Sequence, residues 1–405
     1  MNTSTTTITP TVALPPPRTA VGVPSWLRAN LFNTWYNTLL TLALLAGLAL
    51  VVVPAWRWIF TMAHWEAVVT NLRLFMVGLY PQEHLWRPSA LLMLVAFLFG
   101  GSAARDHGTV RRLGIFLLSG LVVFTVLLPG AGRVASGSAA LAFLVGFGVG
   151  YHGLLSARCW SIAWLLSLPL ALVVLHGLPW AGLPYVSTTQ WGGLMLTLLL
   201  AVIGIAASFP LGLLLALGRQ SHLPAIRLVS IAYIELIRGV PLVSMLMMFA
   251  LLLPLFLPPS FGRPDTLLRV VVGITLFTAA YVAENVRGGL QAIPRGQYEA
   301  ATALGLTWVQ TMRHIILPQA LRAVIPALVG QCISLFKDTS LATIVGLLEL
   351  LGVAKSAIEQ PEWKAITGGV VFEVFLFTAL VYGLFTYTMS YASRRLEKFL
   401  GVGLR

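Results

Sequence analysis

Residues 284–326 read ENVRGGLQAIPRGQYEAATALGLTWVQTMRHIILPQALRAVIP. Apolar runs at 270–283 and 324–335 bound the stretch, yet Arg287, Arg295, Arg313 and Arg322 stand within it. Charge at that density is expelled from hydrocarbon. The segment is therefore read as a loop joining two membrane spans, and its arginines assign it to the cytoplasmic side. The loop is patterned for order. Pro294 and Gly296 break one helix, an Ala-rich second helix begins near Gln297, Gly305 interrupts it, and Pro318 marks the next turn.

The rest of the chain fits a membrane reading. Of 405 residues, 58% are hydrophobic and 10% charged, and the mean hydropathy is +0.88; soluble domains carry about 25% charged residues. Ten apolar cores are legible, at 38–54, 88–104, 113–128, 139–155, 159–175, 192–217, 242–257, 270–283, 324–335 and 368–390. Several fall short of the ~20 residues that cross a bilayer, so their polar flanks extend them. The expected fold is all-α and polytopic, with about ten transmembrane helices. Starting with the N-terminus in the cytoplasm puts about twice as many Lys and Arg residues inside as outside, which favours both termini inside.

Four regions follow. Residues 1–36, Thr/Pro-rich and including Pro15, Pro16 and Pro17, read as a disordered cytoplasmic tail. Residues 37–188 form a five-span extension, ending in the uncharged Gly/Pro-rich stretch GLPWAGLPYVSTTQ at 177–190. Residues 189–392 form a five-span core, and 393–405 a cytoplasmic tail. Within the extension, the long outer segment 57–87 carries Trp58, Trp65 and Trp86. It reads as an amphipathic helix at the headgroup level or a docking surface for an external partner.

The net charge of +13 is accounted for by positive-inside loops, and no nucleic-acid motif accompanies it. Cys159 and Cys332 stand apart in apolar runs, and no histidines form a metal-binding pair. None of the lysines, Lys337, Lys355, Lys364 and Lys398, follows a glycine, so the chain holds no P-loop.

Within the loop, Glu299-Ala300-Ala301, Gly305, Ile315 and Leu317-Pro318 stand at the spacing of the EAA signature. On these residues the chain resembles the permeases of type I ABC importers. Three further stretches resemble the polar amino-acid branch, the histidine and glutamine permeases. They are TLLLAVIGIAASFPLGLLLALGR at 197–219, YIELIRGVPLVSMLM at 233–247 and SLFKDTSLATIVGLLEL at 334–350. NLRLFMVGLYPQEHLWRP at 71–88 is similar to the extension of the M-type subunit of general L-amino-acid permeases. The resemblance implies a type I core over 189–392 and a coupling helix that docks on a separate ATPase. It also implies a cytoplasmic ATPase dimer that carries ATP and magnesium, a second homologous permease subunit, and a periplasmic amino-acid-binding protein. No cofactor on this chain itself is implied.

Ionisable residues at membrane depth are candidates for function. Glu235 and Arg238 are three apart, as are Glu284 and Arg287, a spacing at which helix side chains can pair; such pairs are structural ties or an inner gate latch. Lys337, Asp338, Thr339 and Glu373 are candidates for the substrate path, because a zwitterion needs a cation for its carboxylate and acceptors for its ammonium. A stand-alone secondary transporter is expected to show repeated broken helices in both halves, and an intramembrane enzyme a cluster of catalytic or metal-ligating groups. Neither pattern is legible.

Overall fold

The computed structural model describes residues 22–106, 108–258, 260, 262–366 and 368–401. Most of the expected N-terminal tail and residues 402–405 lie outside the described residues. Within the described part of that tail, Val23–Asn30 is helical, with Pro24 in its first turn.

The described chain falls into two compact units that meet between His64 and Trp65. In the first unit, helix α1 (Trp35–Arg57) is capped by Thr34, whose hydroxyl accepts from the Asn37 N–H. A π turn over Trp58–Met62 prolongs it. No residue of α1 is buried, and an apolar surface all round suits a lipid-facing span.

The second unit opens with two short helices, Glu66–Thr70 and Leu72–Val77. The amphipathic surface helix expected over 57–87 is not formed. Instead Ala67, Val68 and Phe75 are buried in a cluster with Leu350, Val353 and Val374. Asn71 Oδ1 accepts from Gln360 Nε2 at 3.0 Å. Two glycine approaches make this docking possible: a Cβ on Gly78 would lie 2.4 Å from Gly192 Cα, and one on Gly193 would lie 2.4 Å from the Phe75 carbonyl oxygen.

Four spans follow, α2 (Trp86–Arg105), α3 (Thr109–Leu127), α4 (Gly130–Tyr151) and α5 (Ala157–His176). Helices α2 and α4 meet backbone to backbone: a Cβ on Gly146 would sit 2.0 Å from the Phe97 carbonyl oxygen. Small residues permit such approaches where lipid gives no hydrophobic drive.

The core comprises α6 (Gly193–Arg219), α7 (Pro224–Arg238), α8 (Leu242–Met247, with a π turn to Leu252 and a last turn to Phe256) and α9 (Thr266–Gln291). It continues with α10 (Arg295–Ala303), α11 (Leu317–Asp338), α12 (Leu350–Ile358) and α13 (Val371–Leu400). Helix α13 runs through the start of the expected C-terminal tail. Among the described residues nine helices are long and apolar enough to cross a membrane. The α7–α8 pair adds a tenth if taken together, with a 107° bend between its halves. Pro241 supplies the break: it has no N–H to donate, and it drives Val240 out of the helical region.

One buried carboxylate ties three core helices. Glu349, fully enclosed, caps α12 by accepting from the N–H groups of Leu351 at 2.9 Å and Gly352 at 2.8 Å. It also accepts from the hydroxyl of Tyr382 on α13 at 2.8 Å and faces that of Thr197 on α6 at 3.5 Å. Replacing it with Ala removes a cap and orphans buried donors, so Glu349→Ala is expected to cost about 2–4 kcal/mol. Thermal denaturation of the solubilised protein checks this; an unchanged midpoint means that the carboxylate ties nothing.

Candidate functional site

The EAA residues form a helix–turn–helix at one end of the core. Helix α10 begins after Pro294 and ends in a Schellman motif. The Leu306 N–H donates to the Ala301 carbonyl at 3.1 Å, and the Gly305 N–H to that of Thr302 at 2.9 Å. Such a turn needs a residue at positive φ, and Gly305 supplies it at +72°. Thr307 then opens the next turn with a capping box, its hydroxyl accepting from the Gln310 N–H while the Gln310 side chain accepts from the Thr307 N–H.

From Trp308 the chain stays helical through a π turn, Met312–Ile316, into α11. Pro318 therefore does not turn the chain as expected. It sits in the first turn of α11, where its missing N–H costs little, and the Leu317 N–H before it reaches back five residues to the Met312 carbonyl.

The signature residues take different roles in packing. Ala301 is fully buried, while Glu299, Ala300 and Pro318 are exposed. Glu299 makes no ion pair with any described residue. Ile315 and Leu317 are half-buried against a cluster that includes Ala216 of α6, Ile234 of α7, Val286 of α9 and Ile316. Tyr298 of α10 packs on the same cluster. Burial raises its phenol above the ordinary value, so it stays protonated and faces the Leu290 carbonyl at 3.5 Å. The inner face of α10 is thus packed against side chains of three core helices. The opposite edge is bare: Leu304, Trp308 and Val309 are 76%, 45% and 63% exposed. A Cβ on Gly305 would meet nothing within 4 Å, so among the described residues of this chain the glycine is required by its backbone conformation.

Of the two ion pairs expected within single helices, Glu284–Arg287 forms and Glu235–Arg238 does not, and all four residues belong to a network between helices. Glu284 of α9 pairs with Arg287, whose Nε lies 2.9 Å away, and lies 3.5 Å from Arg238 of α7 and 3.6 Å from Arg219 of α6. Glu235 pairs not with Arg238 but with Arg219, at 2.9 Å. Arg238 also stands over the Tyr281 ring. Three helix ends are thereby held by alternating charge. The signal for Arg219, a basic residue in the last turn of an apolar helix, is in the sequence; its partner on α7 is not.

The substrate-path candidates separate. Lys337 is exposed and Asp338 half-buried at the far end of α11. They form no ion pair with each other, since successive helical side chains point about 100° apart. Thr339 is buried, its hydroxyl donating to the Phe336 carbonyl at 2.7 Å. Glu373 lies in the first turn of α13 and is only 3% exposed.

Residues 208–401 match the family described as binding-protein-dependent transport system inner membrane component. Over 393 residues the chain is 37% identical to the inner membrane amino-acid ABC transporter permease protein YhdY of Escherichia coli, covering 93% of each chain. It is also 37% identical, over 426 residues and 95% of each chain, to the glutamate/glutamine/aspartate/asparagine transport system permease protein BztC of Rhodobacter capsulatus. The probable glutamine ABC transporter permease protein GlnP of Bacillus subtilis is 37% identical over 208 residues, 51% of this chain and 91% of that one. With likeness at this level through the extension and the core alike, the chain belongs to the permease family of binding-protein-dependent ABC transporters.

Proposed function

We propose that this permease carries L-amino acids, polar or broad in range, from a periplasmic binding protein across the inner membrane. ATP hydrolysis on a separate cytoplasmic ATPase dimer, which holds the nucleotide and its magnesium, drives the movement. A second homologous permease subunit completes the pathway. Residues 189–392 act as the translocation core and 37–188 as an extension to it, with both termini and α10 in the cytoplasm. The observation that carries the reading is the coupling loop. A complete EAA signature forms a helix–turn–helix whose inner face is packed on three core helices and whose apolar outer edge is left uncovered by the described residues. The substrates named for the relatives BztC and GlnP support the amino-acid assignment.

A cysteine at Gln310, on a background lacking Cys159 and Cys332, tests the reading. It is expected to react with a membrane-impermeant thiol reagent in inside-out vesicles, to be shielded by the ATPase, and to stay unreactive in intact cells. Labelling from outside, or labelling that the ATPase leaves unchanged, refutes it.

For the substrate we propose that Lys337, with Asp338 and Thr339 beside it, meets the zwitterion. Lys337→Met is expected to reduce uptake of acidic amino acids more than of neutral ones, at equal protein level. Glu373, only 3% exposed, is proposed to bear on the path from inside the protein wall, so Glu373→Gln is likewise expected to change uptake of charged and neutral amino acids unequally, at equal protein level. Competition uptake with several amino acids reads both; a wild-type profile for Lys337→Met removes that residue from the path.

A further inference from the structure

The first turn of α2 holds a cation that no described residue neutralises. Arg87 is wholly enclosed, at 0% exposure, and is the bulkiest of the fully buried side chains. Its Nη1 donates to the Pro184 carbonyl at 2.9 Å. Nε and Nη2 are buried and have no hydrogen-bond partner among the described residues. Arg87 forms no ion pair with any described carboxylate, and Glu83, four residues before it, is exposed.

The known neighbours of the guanidinium are dipoles and rings. The Tyr80 phenol stands beside it, with its hydroxyl donating to the Leu175 carbonyl at 2.8 Å. The Trp86 ring centroid lies 5.6 Å from Arg87 Cζ, an attraction weaker than a buried ion pair. The Pro184 carbonyl belongs to a loop over 177–186 that contains no Asp or Glu. The ends of that loop are tied together, the Val186 N–H donating to the His176 carbonyl at 2.8 Å.

The two bare nitrogens share one edge of the guanidinium plane. Their N–H bonds run parallel there, a fork that takes one anion by two hydrogen bonds. The same chain shows this edge in use: Arg287 holds the Glu284 carboxylate with its Nε and Nη2, at 2.9 and 2.5 Å. A charge buried without a counter-charge costs far more than one buried in a pair. Water would satisfy the two donors and leave the charge. Full enclosure disfavours an organic acid, whose body needs room beyond its carboxylate.

We infer that Arg87 binds one small monovalent anion of the halide class, held between Nε and Nη2. The ion enters as the loop 177–186, exposed at Pro184 and Tyr185, moves aside, and it is enclosed when the Pro184 carbonyl returns to Nη1. With its charge neutralised, Arg87 fastens that loop to the start of α2. The site uses no residue of the coupling loop or of the proposed substrate path, so the ion acts on the fold whichever solute is carried.

Thermal denaturation of the complete, detergent-solubilised transporter tests this in sodium chloride and in sodium gluconate at equal ionic strength. The wild type is expected to melt about 2–4 °C higher in chloride, because an ion that binds the folded state alone stabilises it by mass action. Arg87→Gln removes both the charge and the fork, and is expected to melt at one temperature in the two salts. Crystals of the wild-type transporter grown in bromide are expected to show an anomalous peak within hydrogen-bonding reach of Nε and Nη2, a result that does not depend on the variant folding. Equal wild-type midpoints in the two salts, a chloride effect retained by Arg87→Gln, or water in place of bromide at the fork overturns the proposal.

Discussion

Gly305→Val is expected to leave the permease inserted in the membrane and to abolish uptake. The glycine sits at φ +72° in the turn that sets the angle between α10 and the helix leading into α11. A β-branched residue is held there only at a cost of about 1–3 kcal/mol, and the turn relaxes by reorienting α10. With Ala301 packed inside and Leu304 and Trp308 outside, a rotated α10 no longer presents its bare edge to the partner. A loss of that size weakens docking about ten- to a hundredfold. Gly305→Asn, which tolerates the left-handed region, is expected to keep most of the activity, although it adds a larger side chain than alanine would. Uptake and binding-protein-stimulated ATP hydrolysis in proteoliposomes separate the two variants. If the valine and asparagine proteins are equally inactive, side-chain bulk at the ATPase surface and not backbone conformation is decisive.

The second large effect is expected at Gly289. A Cβ there would lie 2.6 Å from the Ala320 carbonyl oxygen and 2.7 Å from Val324 Cγ1, so α9 and α11 cannot keep their separation. Because backbone is in the way, Gly289→Val is expected toward the upper end of the ~1–3 kcal/mol that overpacking costs. Folded yield and thermal midpoint should fall together. The adjacent Gly288 is exposed and has nothing within 4 Å of its Cβ position, so Gly288→Val makes the same chemical change in the same helix turn without the clash. It is expected to behave like the wild type. Equal loss in the two variants would assign the effect to helix propensity and remove the helix contact from the explanation.

The coupling loop is legible in the sequence because its determinants are local. A helix stop at Gly305, a cap at Thr307 and a charge density foreign to lipid are all set within a few residues. Contacts between helix ends are not local. The spacing of Glu235 and Arg238 suggests a pair, but Arg219 is closer to Glu235 once α6 and α7 meet at Gly218. Glu349 sits in an apolar stretch, and only the convergence of Thr197, Tyr382 and the start of α12 reveals why a carboxylate is there. Pro318 reads as a turn in one dimension and as an ordinary first-turn proline once the π turn before it is seen. Helix α7 is not among the expected spans because Arg227, Glu235 and Arg238 interrupt its apolar residues.

The way the extension is fastened has a consequence for protein engineering. Permeases half as long, such as the relative from Bacillus subtilis, suggest that residues 189–401 could be excised as a minimal transport unit. In this chain the cut would strip the cover from Val353, Val370 and Val374, leave the Gln360 amide without its Asn71 acceptor, and expose the Gly192–Gly193 crossing that Gly78 and Phe75 now close. A chimera that exchanges the core for a shorter permease faces the same seam from the other side: unless the donor also carries glycines at the crossing, its side chains would fill the space that the 66–77 segment occupies. Residues 65–80 therefore travel with the core, and the natural point of exchange lies N-terminal to Trp65.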